Sequence, residues 1–196
     1  MEFREFAGRK VQLPPAGELV PGDGDFEEEL SKAVLTGVSL AEDTRAPLEL
    51  SDVMLDNVDL SNANLARTTA RRVHVKASRG IGLRLVLKQA TDLLAEGCRF
   101  DYATIEIDRV KHVAVFHECS FRDAVLLGDL SNVVFSGCDF TGAEFQARRA
   151  VDCDLRSSDL RAARGLSTLG GAKISTEQAV SIAVRLAVEN GLLVVD

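Results

Sequence analysis

The stretch 53-VMLDNVDLSNANL-65 places a leucine at every fifth position, at Leu55, Leu60 and Leu65. A small or β-branched residue stands two places before each of these leucines. Neither a helix, with a period of 3.6 residues, nor a flat strand, with a period of 2, repeats an apolar pair at this spacing. A short repeat of fixed period is typical of a solenoid. The stretch therefore predicts a solenoid, and the search for its further turns starts here.

The same pairing of a small residue with a large apolar residue recurs as far as residue 160. It predicts an interior made of Leu55, Leu60, Leu65, Cys98, Phe100, Phe121, Cys138, Phe140, Phe145, Leu155 and Leu160. The five-residue repeat of apolar residues shifts by one position at Phe116 and shifts back at Leu130. Without these shifts Glu118 and Asp123 would point inward, where an unpaired carboxylate costs free energy. We expect a bulge and its correction there. We also expect a bulge or loop near 86–92, where Lys88 falls on an inward position.

The units Ser61-Asn62-Ala63-Asn64-Leu65 and Gly142-Ala143-Glu144-Phe145 are close to the consensus A(D/N)LXX. Over residues 26–165 the chain resembles the pentapeptide-repeat family. The resemblance implies an all-β solenoid, a right-handed quadrilateral β-helix of about seven coils, with twenty residues in each coil and a C-terminal α-helix. We expect residues 1–25 to form an N-terminal cap or arm, 26–169 the β-helix, and 170–196 a helix and tail that dimerise.

Charged residues test the twenty-residue coil independently. Lys32, Asp52, Arg72 and Asp92 stand twenty apart and alternate in sign, as do Asp56, Lys76 and Glu96, and Asp59 with Arg79. Opposite charges that face each other across neighbouring strands are favourable. The spacing therefore predicts coil-to-coil ion pairs.

The C-terminal segment predicts a helix. Ser175 and Gln178 have the spacing of a capping box, and Gly191 supplies a stop. The residues of this helix are apolar on every side except for one polar stripe. The helix is therefore either a wide cap packed under the tail or a helix that pairs with a twofold-related chain. We favour the pair, with an interface of Ala179, Ile182, Ala183, Leu186 and Ala187. Residues 167–183 resemble the corresponding segment of the Qnr- and MfpA-like, gyrase-interacting members of the family, which implies a homodimer.

Candidate sites for chemistry are few. The four cysteines lack the close pairs of zinc sites and occupy inward positions, which favours reduced, buried thiols. His112, His117, Glu118 and Cys119 are near in sequence, but they point to opposite sides of the wall and cannot share a metal ion. His74 points outward and has no evident partner. No catalytic motif or phosphate loop is present, so we expect neither an enzyme nor a cofactor.

The charge distribution is uneven along the chain. Residues 18–59 are strongly acidic, whereas Arg67 to Lys88 contains seven basic residues and no acid. We take the acidic surface as a candidate partner-binding site, formed by Glu42, Asp43, Glu49, Asp52, Asp56 and Asp59. The family resemblance implies a DNA-mimic-like protein that binds DNA gyrase or topoisomerase IV and modulates it or protects it from poisons such as quinolones. Since the sequence shows neither a signal-peptide layout nor a membrane span, we expect the protein to be cytoplasmic.

Two alternatives remain open for the same fold. One is a protein-binding scaffold with a partner other than gyrase. The other is direct binding of nucleic acid through Arg67 to Lys88, which the net charge of −7 and the absence of tryptophan disfavour. We expect no membrane span.

Overall fold

The computed structural model describes residues 2–195. The strands are β1 (Phe3–Phe6), β2 (Arg9–Gln12), β3 (Val20–Gly22), β4 (Glu29–Thr36), β5 (Thr44–Arg45), β6 (Leu48–Asp56), β7 (Asn64–Lys76), β8 (Arg84–Glu96), β9 (Thr104–Ile107), β10 (Ala114–His117), β11 (Val125–Asp129), β12 (Val133–Ser136) and β13 (Glu144–Arg149). Short 3-10 helices span Ala16–Glu18 and Leu166–Thr168, and the single α-helix, α1, spans Thr176–Glu189.

The strands from β3 onward stack in parallel and form a solenoid. Ala33 faces Val53, Val53 faces Val73, and Val73 faces Leu93, so each turn takes twenty residues. The backbone of each turn bonds to the turns before and after it, as in any parallel sheet. Along this column the chain makes about six turns, close to the seven expected.

The two phase slips are confirmed. Leu93 faces Ala114, twenty-one residues on, and Ala114 faces Val133 after only nineteen. The extra residue and its removal keep Phe116, Leu126 and Leu130 buried. Glu118 and Asp123 lie in solvent, where a carboxylate is not desolvated.

The expected irregularity near 86–92 is a bulge within the continuous strand β8. Thr68 pairs with Leu87 and Thr69 with Gln89, so Lys88 has no partner residue and turns outward. Leu87 is buried in its place. The ammonium group of Lys88 lies 2.6 Å from the Asp108 carboxylate.

The interior changes composition along the solenoid. All eleven residues expected in the interior are buried. Leucines fill the first turns, whereas phenylalanines stack in the later ones: the ring centroids of Phe121 and Phe140 are 5.2 Å apart, with 10° between the ring planes. Offset stacking of aromatic rings adds to the burial of their apolar area.

The four cysteines are buried and free. Cys98, Cys119 and Cys138 occupy one column, each with its sulfur within 3.5 Å of a backbone carbonyl oxygen. Cys153 lies in another column, where burial raises its thiol pKa to about 12. A thiol of this kind stays protonated and behaves as a small apolar side chain.

The N-terminal residues form an arm, one of the two forms expected for residues 1–25. β1 and β2 form an antiparallel hairpin that lies on the outer wall of the middle turns. β3 already pairs with β4, so the solenoid begins at Val20 and not at residue 26.

The C-terminal helix begins as predicted. Ser175 and Gln178 bond to each other's backbone in a reciprocal capping box. Gln178 also donates to the carbonyl oxygens of Leu155 and Ser158 at 2.7 Å, and Ile182 joins the interior cluster. The helix therefore covers the last turn of the solenoid. No helix in residues 2–195 has both the length and the apolar character needed to cross a membrane.

A cavity of about 70 Å³ lies in the interior of the middle turns. Its lining is entirely apolar apart from Thr68, and Ala70 and Ala95 stand there in positions that hold leucine or phenylalanine in other turns. These short side chains leave the space unfilled.

Replacing Ala95 with Val should therefore stabilise the chain by about 0.5–2 kcal/mol, because the added methyl groups enter existing space. Ala90 lies on the same strand and is equally buried, but it does not line the cavity. Ala90→Val should instead cost about 1–3 kcal/mol through overpacking. Urea unfolding measures both free energies, and equal effects of the two substitutions would contradict the position of the cavity.

Candidate protein-binding surfaces

Half of the expected acidic surface is neutralised by arginine. Asp52 is almost fully buried, and the guanidinium of Arg72 donates to both its oxygens at 2.5 and 2.6 Å. Asp59 is held in the same way by Arg79 on the next turn, and Asp43 pairs with Arg45 at 2.8 Å. Both coil-to-coil pairs join residues twenty apart, as predicted.

These pairs lower the pKa values of the two coil-to-coil carboxyls. The hydrogen bond from Arg72 lowers the pKa of Asp52, against the opposing effect of burial. The hydrogen bond from Arg79 does the same for Asp59. A lowered pKa in the folded state means that the stabilisation is present at neutral pH and is lost as the pH falls through that pKa.

Other members of the expected ladder find different partners. Lys32 pairs with Glu18, and Asp92 bonds to His112. Within residues 2–195, Asp56 and Lys76 form no ion pair, since their charged groups lie more than 4.0 Å apart. Glu96 instead bonds to His74 and Arg4.

Eight carboxylates near the start of the solenoid have no basic group within 4.0 Å among the described residues. We name them the acidic end: Asp23, Asp25, Glu27, Glu28, Glu29, Glu42, Glu49 and Asp56. Glu29 and Glu49 face each other on neighbouring strands. Like charges in that arrangement repel, and a cationic partner would relieve the repulsion. Of the six residues expected in the acidic surface, Glu42, Glu49 and Asp56 belong to this end.

The basic segment Arg67–Lys88 does not form a single stripe. One turn takes about twenty residues, so the segment passes once around the rod and distributes its charges over successive walls. Arg72, Arg79 and Lys88 are paired with carboxylates. A groove that binds nucleic acid has its basic residues on one side. In this segment the basic residues lie on different walls of the rod.

The C-terminal helix has one face toward the solenoid and one toward solvent. Ile182 is buried against the chain's own last turn, and Leu186 packs against the same cluster. Both residues were expected in a dimer interface, and within this chain they pack against the solenoid. The opposite face carries Ala179, Ala183 and the exposed valines 180, 184 and 188, with Ala187 half-buried at its edge.

The hairpin creates an interface that the sequence pattern did not indicate. Phe6, Val11 and Leu13 pack on an apolar strip of outward-facing residues, made of Leu94, Val113, Val115 and Val134. These four residues break the usual rule that wall positions are polar, and that is the one signal in the sequence that could have revealed a covered wall. His74 lies beside this strip and is buried.

The described surface has several open grooves. One groove runs between the last turn and the start of α1, lined by Arg156, Arg161 and Glu177 among others. Arg156 and Arg161 are already paired with Asp154 and Asp159. Across residues 2–195, no group of three or more His, Cys, Asp or Glu side chains is placed to hold a metal ion.

Comparison with known proteins gives a family match for part of the chain. The family model of pentapeptide repeats matches residues 114–161 in eight copies. No curated protein matches the chain.

Similar solved structures include two forms of QnrB1, a plasmid-mediated fluoroquinolone resistance protein. The full-length form is 18% identical, with a TM-score of 0.32 over 87% of this chain and 95% of that one. A trypsin-treated variant is 15% identical, with a TM-score of 0.39 over 87% and 92%.

Another is HetL, a pentapeptide-repeat protein involved in heterocyst differentiation regulation from the cyanobacterium Nostoc sp. strain PCC 7120. It is 20% identical, with a TM-score of 0.27 over 75% of this chain and 81% of that one. Residues 114–161 are thus pentapeptide repeats, in a solenoid whose strands continue on both sides of them.

Proposed function

We propose that this chain is a non-catalytic protein-binding rod that engages a type II topoisomerase, chiefly DNA gyrase, through its acidic end. The observation that carries the proposal is the set of eight carboxylates left without basic partners at one end of a rod whose other carboxylates are largely paired. A protein surface that binds DNA is positively charged. The acidic end is the part of this rod that such a surface would attract.

The charge density limits what kind of mimic the rod can be. Six turns at the spacing of paired strands span roughly 29 Å. Duplex DNA of that length carries roughly 17 phosphate charges, whereas the whole chain has a net charge of −7. Recognition would therefore depend on the shape of the rod and on the local field of the acidic end.

A supercoiling assay with purified gyrase tests the proposal directly. The unmodified protein at micromolar concentration should inhibit supercoiling or protect it from ciprofloxacin. The Glu29→Gln/Glu49→Gln variant should need a roughly tenfold higher concentration, because it removes charges that steer association. Glu106→Gln/Glu118→Gln removes the same charge from later turns and should behave like the unmodified protein.

Two results would contradict this function. If the unmodified protein has no effect on gyrase, a scaffold with another partner is favoured, and recovery of a defined non-gyrase protein in a pull-down would establish it. If both double variants lose activity equally, net charge and not the acidic end governs the effect.

We also propose that the chain is a homodimer through the solvent face of α1. Val180, Val184 and Val188 lie on one side of the helix and are each more than half exposed, and Leu192 and Leu193 extend the apolar surface. Exposed apolar patches of this kind mark association sites. A twofold axis through this face would join two rods end to end.

Val184→Glu should give a folded monomer by light scattering and circular dichroism, since this valine is more than half exposed in its own chain. Val151→Glu, at an exposed valine on the solenoid wall, should leave the dimer intact. Ile182→Glu should lower stability instead, by burying an unpaired charge. The interface would be refuted if Val184→Glu keeps the mass of a dimer, or if the unmodified protein is a monomer.

A further inference from the structure

The chain contains three histidines, and all of them lie at or beside the interface between the solenoid wall and the N-terminal hairpin. His112 and His117 lie on the same turn, and His74 lies two turns before them. Each contacts the hairpin, or a carboxylate that the hairpin also contacts. The docking of the hairpin is therefore linked to the only side chains whose ordinary charge change falls near neutral pH.

His74 shares one carboxylate oxygen with an arginine of the hairpin. Its Nε2 lies 2.6 Å from Oε2 of Glu96, and Arg4 donates to the same oxygen. On the wall, Met54 and Leu94 flank His74 on the neighbouring strands. Glu96 and Arg4 are thus the charged groups in contact with it.

The other ring nitrogen of His74 makes the docked state sensitive to protonation. Nδ1 is buried and has no hydrogen-bond partner among the described residues. In the neutral ring it can remain an unprotonated acceptor. A second proton would create a buried donor without an acceptor, next to the guanidinium of Arg4. Removal of the hairpin takes Arg4 away and opens this nitrogen to water, so the protonated ring favours the released state.

His112 repeats the arrangement in a more exposed position. Its Nδ1 lies 2.8 Å from Oδ1 of Asp92, and the backbone N–H of Gln12 donates to the same oxygen at 2.9 Å. Arg9 of the hairpin donates to the carbonyl oxygen of His112. Docking therefore brings a second arginine to a second histidine, with an effect that solvent weakens because half of this ring is exposed.

His117 acts in the opposite direction. Its ring centroid lies 5.0 Å from that of Phe6, and Nε2 lies 3.7 Å from the Glu118 carboxylate. A positive ring against an aromatic face at a partly exposed site is a weak attraction. It does not offset an unpaired donor at the buried His74.

Glu96, which bonds to both Arg4 and His74, favours its ionised form. Burial raises its pKa, but the hydrogen bonds from Arg4 and His74 outweigh burial and leave the pKa below its usual value. A change in docking between about pH 7.5 and pH 5.5 can therefore be assigned to the imidazoles.

We propose that the N-terminal hairpin is a releasable strap, and that protonation of His74, assisted by His112, weakens its docking on the solenoid wall. Release uncovers the strip formed by Leu94, Val113, Val115 and Val134, which the hairpin otherwise keeps out of water. The solenoid itself does not depend on the strap, because its strands are bonded to each other and not to β1 or β2.

Hydrogen exchange of the full-length chain, followed by mass spectrometry, tests the strap. An isolated two-stranded hairpin is barely stable, so its amides exchange once it leaves the wall. After correction for intrinsic exchange, residues 3–13 should exchange roughly tenfold faster at pH 5.5 than at pH 7.5, the factor expected for one unpaired buried donor. Residues 121–145 should keep their protection, which distinguishes release from unfolding.

Two variants decide the cause. His74→Gln retains a donor for Glu96 but cannot titrate, and it should abolish most of the pH effect. His117→Gln should leave the effect undiminished, because this ring acts weakly in the opposite direction. The proposal is overturned if the unmodified chain shows no acceleration in residues 3–13, or if His74→Gln shows the full acceleration.

Discussion

The structure depends on the stacking of inward-facing side chains into columns, one residue per turn, at the spacing of paired parallel strands. The backbone N–H and C=O groups of every turn bond to the turns on either side. A turn that is displaced from the column therefore also loses its hydrogen bonds. This explains why the insertion before Phe116 is compensated before Leu130. An uncorrected shift would turn Phe135 and Phe140 outward and place charged residues in the interior.

The stacked columns also fix where the surface charges lie. A turn of twenty residues brings Asp52 under Arg72 and Asp59 under Arg79, and in each pair the two charges neutralise each other. In the first turns Glu29 faces Glu49 and not a basic residue, so these carboxylates have no ion-pair partner of this kind. Both ends of the stack need protection, because an open strand edge invites association. At the C-terminal end, α1 supplies it through Gln178 and Ile182.

The parts that follow from the five-residue period could be predicted from sequence: the interior, the two slips, the bulge at Lys88 and the coil-to-coil ion pairs at Asp52 and Asp59. The capping box of α1 is equally local. The docking of the hairpin could not be predicted, because contacts between wall positions and a distant segment leave no periodic pattern. The partner of His74 was missed for the same reason. The helix is apolar on most sides, so its sequence did not show that Ile182 and Leu186 face the chain's own last turn.

The most direct test of the stacked columns is the pairing of β10 with its two neighbours, where the turn length changes. Backbone NOEs in solution should join Val115 to Leu94 and to Val134, separations of twenty-one and nineteen residues. NOEs that instead join Val115 to Ala95 and Phe135, twenty residues away on each side, would show that the turns do not follow the interior columns and would contradict this account.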